Sequence, residues 1–71
     1  MENKSNRIPR KFNRIVMKSL IDTSAGKAGD IYHIYKNDNG YCGLNTRTGK
    51  YYYMFVSMLR NKDISEILEI E

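Results

Sequence analysis

With Cys42 as its sole cysteine and His33 as its sole histidine, the chain has no internal disulfide and no four-ligand zinc site. A lone cysteine without a disulfide framework fits a reducing compartment. No stretch is apolar over the roughly 20 residues that a membrane span needs. The basic front end also lacks the apolar core of a signal peptide. A soluble, cytoplasmic protein is the expectation. Equally missing are a Gly-rich phosphate loop, a His-Glu-x-x-His pair and a cluster of paired carboxylates. Asp22, Asp30 and Asp38 are scattered without the spacing of a Ca²⁺ loop. No cofactor and no metal are expected. Seventy-one residues make one small domain with a marginal core.

Charge is present and unevenly spread. Twelve Lys and Arg against eight Asp and Glu give +4, and residues 3 to 21 hold Lys4, Arg7, Arg10, Lys11, Arg14 and Lys18 with no acid. Residues 63 to 71 hold Asp63, Glu66, Glu69 and Glu71 with no base. A basic front end raises the chance of a polyanionic partner, whereas the acidic tail offers it an internal one.

Residues 1–13, polar and interrupted by Pro9, read as a flexible basic arm, and 14–71 as the folded domain. Ile15, Val16, Met17, Leu20 and Ile21 make the first β-rich run. A small-residue loop, 22–30, follows. Ile31 to Lys36 alternates as a strand, with Tyr32 and Ile34 on one face and Ile31, His33 and Tyr35 on the other. Asn39-Gly40 predicts a tight hairpin, and Tyr41 to Thr46 should pair back, with Gly43 marking a bulge or a close backbone approach. After a turn at 47–50, Tyr51 to Met58 reads as the longest strand. Tyr52, Met54, Val56 and Met58 stand opposite Tyr51, Tyr53, Phe55 and Ser57, so a central strand covered on both sides is predicted. The last nine residues read as a helix with a capping box at Asp63 or as a closing strand, the strand being preferred. The predicted core is Val16, Leu20, Ile34, Leu44, Met54 and Val56.

This order of strands resembles a small SH3-like barrel. Val16 to Ile21, Asp22-Thr23-Ser24, Gly29-Asp30-Ile31-Tyr32-His33-Ile34 and Asp38-Asn39-Gly40-Tyr41 together resemble short SH3-like proteins encoded by phages of low-GC Gram-positive bacteria. The resemblance covers roughly residues 15 to 60; Leu59-Arg60 stands where the pattern usually has an aromatic-acidic pair. It implies an all-β fold, a small SH3-like barrel of four to five antiparallel strands behind the arm. By itself it implies almost nothing about activity.

Two surfaces are candidates for binding. Wound as a helix, the arm would line up Arg7, Arg10, Lys11, Arg14 and Lys18 beside Ile8, Phe12 and Ile15. The competing reading pairs that charge with the acidic tail. The second surface is the tyrosine-rich strand, where Tyr51 and Tyr53 with Arg47, Lys50 and Arg60 suit a protein interface or base stacking. His33 and Cys42 lie on strands joined by one hairpin, but a lone His and a lone Cys are more often packed side chains than a catalytic pair. The expectation is a non-enzymatic module, a phage accessory protein docking on a host or defence protein and modulating or inhibiting it. The alternative is a nucleic-acid-binding protein, and self-association is a third possibility.

Overall fold

A computed structural model describes residues 5–38 and 40–71. Its elements are β1 (Ile15–Ser19), β2 (Ile31–Asn37), β3 (Gly40–Asn45), β4 (Tyr51–Met54), α1 (Val56–Arg60) and β5 (Ser65–Ile70). All pairings are antiparallel, in the order β4-β3-β2-β1-β5. The last strand thus returns to the first, and a single helical turn precedes it, as in a small SH3-like barrel. The closing strand expected over the last residues is β5.

Register explains which residues sit where. Cα partners on antiparallel strands share a face. Ile15, Ile34, Gly43 and Tyr52 form one inward row, and Met17, Tyr32 and Asn45 the next. A Cβ on Gly43 would lie 2.6 Å from Met54 Cε and 3.0 Å from Ile34 Cδ1, so the close approach expected there is real. Curling brings the far strands together. Met17 and Ser19 of β1, Met54 of β4, Met58 of α1 and Ser65 of β5 line one cavity of about 30 Å³.

The buried apolar set is Ile15, Met17, Tyr32, Ile34, Met54 and Leu59. Ile34 and Met54 are as predicted, whereas Val16, Leu44 and Val56 are half-buried and Leu20 is exposed. The β1 face was misread because Ile-Val-Met is apolar at both parities. Pairing decides it, since Ile15 opposes Ile34 and Met17 opposes Tyr32. Reading such a strand one residue out of step exchanges its two faces.

Two further expectations need correction. The strand from Tyr51 stops at Met54, not Met58, and it is an edge strand instead of a central one. Met54 already pairs with Tyr41, so β3 has only Gly40 left before its own hairpin. Without a partner to continue against, the chain turns: Met58 and Leu59 donate backbone N–H bonds to the Phe55 carbonyl, and Leu59 is carried into the core. The β2–β3 hairpin is present, but Gly40 belongs to β3, paired with Asn37; Asn39 itself lies outside the described residues.

Residues 6–14 hold no strand or helix. The segment runs as a strap across the open end of the inner face. Asn6 Nδ2 donates to the carbonyls of Leu59 and Ser65, both at 2.9 Å. Ile8 and Phe12 pack on the core, Phe12 stacks on Tyr41 with centroids 6.0 Å apart, and Lys36 Nζ reaches the Arg10 carbonyl at 3.2 Å. Ile8 and Phe12 thus fill the end of the barrel that the short β3–β4 pair leaves uncovered.

Candidate functional site

The outward face is the complement of those inward rows. Val16, His33, Leu44 and Tyr51 form one row, and Tyr35, Cys42 and Tyr53 the next. At the β4 side this face is strongly exposed: Tyr51 65 %, Tyr53 82 % and Phe55 69 %. A shallow groove of about 250 Å³ lies among Asn37, Cys42, Tyr51 and Tyr53. A second, of about 410 Å³, lies among Gly40, Tyr41, Tyr53, Met54, Phe55 and Val56. Tyr53 stands between the two.

The backbone of β4 faces outward at the same residues. The Asn45 N–H donates to the Lys50 carbonyl at 2.9 Å, which makes Asn45/Lys50 a hydrogen-bonded pair. Bonded and non-bonded pairs alternate along an antiparallel ladder. Gly43/Tyr52 and Tyr41/Met54 are therefore bonded, and Tyr51 and Tyr53 turn their N–H and C=O groups to the open edge.

The cations expected to join these tyrosines are only partly available. Arg47 is folded back on buried Asp30, with Nε to Oδ1 at 2.8 Å and Nη2 to Oδ2 at 3.0 Å. Asn45 Nδ2 and the Lys27 N–H complete the carboxylate's shell at 3.0 and 2.9 Å. These donors, Arg47 first, hold the Asp30 carboxyl well below the usual carboxylate range. Gly26 crosses so close to Asn45, Asp30 and the Tyr32 hydroxyl that no side chain fits there. The cluster pins the β1–β2 loop to the β3–β4 turn and pairs Arg47, whose side chain stays half exposed.

Arg14 is spent similarly, on the Glu71 carboxylate, which is one link between the basic and acidic ends. Lys50 is exposed and precedes Tyr51 in the chain, but as the partner of Asn45 it lies on the opposite side of the strand from Tyr51 and Tyr53. Arg60 is exposed at the end of α1, where it lines a different hollow with Ser5, Asn61 and Asp63. Arg7, Arg10 and Lys11 are exposed on the strap and make no ion pair among the described residues. Of the nine residues singled out from sequence, the fold sets Tyr51 and Tyr53 on one surface. Phe55 and Tyr35 join that surface without having been chosen, although the period-2 alternation already set them on the face of Tyr53 and His33.

His33 and Cys42 are diagonal neighbours on the outer face, since His33 opposes Leu44 and Cys42 opposes Tyr35, and no hydrogen bond joins them. Among the described residues no three His, Cys, Asp or Glu side chains are grouped to hold a metal ion. No helix there is long and apolar enough to cross a membrane. Comparison with family models, curated proteins and solved structures gave no match to this chain.

Proposed function

We propose that this chain is a non-enzymatic binding module that docks on another protein through the outer face of β3 and β4. Following the resemblance of its loop and hairpin sequence, we place it among phage accessory proteins that act in the host cytoplasm by modulating or inhibiting a host or defence protein. One observation carries the docking surface: Tyr51 and Tyr53 stand exposed on an edge strand, with exposed Phe55 just beyond its end. Large aromatic groups are the favoured anchors of protein interfaces. The pairing of Arg14 with Glu71 supports a protein partner over nucleic acid, because it neutralises one charge of the basic stripe a phosphate backbone needs.

Nucleic-acid binding retains one observation in its favour, the exposed Arg7, Arg10 and Lys11. A single comparison separates the readings. Capture from a nuclease-treated Gram-positive host lysate is run with the parent chain, Tyr51→Ser/Tyr53→Ser, and Arg7→Gln/Arg10→Gln/Lys11→Gln. A salt titration of a short duplex accompanies it. Protein docking requires that a captured protein survive nuclease and the charge changes but be lost with the tyrosines. If instead the parent binds duplex, and the charge variant flattens the slope of log K against log [salt] by about 2–3, the nucleic-acid reading replaces it.

A further inference from the structure

We propose that two copies of this chain pair edge to edge through β4, in an antiparallel arrangement with Tyr52 opposite Tyr52. The inference starts from the strand edge and does not depend on the docking reading above, although Tyr51 and Tyr53 serve in both. Natural edge strands are blunted by being very short, by proline, by charge, by a bulge or by a covering segment, and of these β4 has only its shortness of four residues. Tyr51–Met54 has no proline, no glycine and no charge, and it pairs with β3 without a bulge. Among the described residues nothing pairs with its outer side.

The occupant is a second copy because the edge is complementary to itself. Centred on Tyr52, an antiparallel pair sets Tyr51 against Tyr53 of the other copy, twice. Both residues turn their N–H and C=O outward, so all eight groups are matched in four hydrogen bonds. The ladder ends there, since the Phe55 carbonyl is already used by Met58 and Leu59. Cross-strand tyrosine pairs then form on the outer face. The net charge of +4 does not oppose this register. Lys50 falls opposite Met54, which leaves the two Lys50 groups about 14 Å apart along the strands, beyond the roughly 8 Å screening length of physiological salt. Arg47, the other cation of that turn, is neutralised by Asp30.

Size sets the strength. At the exposures given above, the six rings of a pair offer about 600–1,200 Å² if wholly covered. That ceiling is the size of a transient interface, not an obligate one, and corresponds to a Kd of roughly 10 μM to 1 mM.

Sedimentation equilibrium from about 10 μM to about 1 mM, together with amide hydrogen exchange, tests this. The average mass should climb from 8.3 kDa toward twice that value. Over the same range the Tyr51 and Tyr53 amides should become protected, while those of Tyr52 and Met54, bonded to β3, stay as they were. Tyr53→Pro removes an outward N–H without touching the β3 ladder and should leave a folded monomer. A chain still monomeric near 1 mM overturns the proposal. So does a dimer whose Tyr51 and Tyr53 amides exchange as in the monomer, or a folded Tyr53→Pro chain that still dimerises. Should Tyr53→Pro fail to fold, the exchange data on the unaltered chain decide.

Discussion

Gly43→Ala sets two effects of opposite sign against each other. A residue inside a strand ordinarily gains about 0.5–1 kcal/mol when glycine becomes alanine, because the unfolded chain is less free. At Gly43 the new methyl would sit 2.6 Å from Met54 Cε, 3.0 Å from Met54 Cγ and 3.0 Å from Ile34 Cδ1. Met54 is a flexible thioether and borders the cavity of about 30 Å³, so its far end has somewhere to go. Ile34, fully buried, has not. Overpacking of this kind costs about 1–3 kcal/mol, so it should outweigh the chain-entropy gain and leave a net loss near 1–2 kcal/mol. A domain of this length has about 4–11 kcal/mol in total, and each kcal/mol moves its melting temperature by roughly 4–8 °C. Met54→Leu removes the Cε atom at nearly constant volume and should relieve part of the clash. The assay is a double-mutant cycle by urea unfolding, with an expected coupling of about 0.5–1.5 kcal/mol in favour of the pair. A Gly43→Ala chain as stable as the parent, or strictly additive variants, would refute the account of that inward row.

Leu59→Ala should cost about 2–5 kcal/mol, since the side chain is wholly buried, whereas Leu20→Ala should cost under about 1 kcal/mol; thermal unfolding of the two checks the corrected core against the predicted one. Asp30 gives a pH dependence of defined sign. Its folded pKa is depressed, so its contribution is complete above the ordinary carboxylate value near 4 and drains away as pH falls below it toward the folded value. Parent and Asp30→Asn unfolding curves should therefore converge between about pH 5 and pH 2, and a constant gap over that range would contradict the ion-paired geometry.

The strands were legible in sequence where alternation was clean. Ile31 to Lys36 sets Tyr32 and Ile34 on one face, and that face is the inward one, although Ile34 alone of the two is expected in the core. Ile15-Val16-Met17 carries apolar groups at both parities, so its facing depends on a partner strand some 15 residues away. The length of β4 was hidden for a related reason. Tyr51 to Met58 alternates without a break, and only the exhaustion of β3 beyond Tyr41 ends the strand. On the surface, the tyrosines could be chosen from their alternation. For the arginines the sequence offered a link between the basic and acidic ends, which Arg14 and Glu71 make across 57 residues, but no local signal for the Arg47–Asp30 pair across 17. Local text shows that a charge exists, and the fold decides whether it remains free.

The pairing of β1 with β5 also constrains how the chain is made. Synthesis proceeds from the N-terminus, so β1 leaves the ribosome first and then waits for the strand that completes it. Meanwhile the contiguous β2–β3–β4 meander, held together by hairpins, is free to form on local contacts. Asn6 cannot close its clamp until Leu59 and Ser65 are both in place, across separations of 53 and 59 residues. Until then the inner face of the meander lacks Ile8, Phe12 and Leu59. An open inner face is the state in which a small sheet of this kind is most exposed to pairing with other chains.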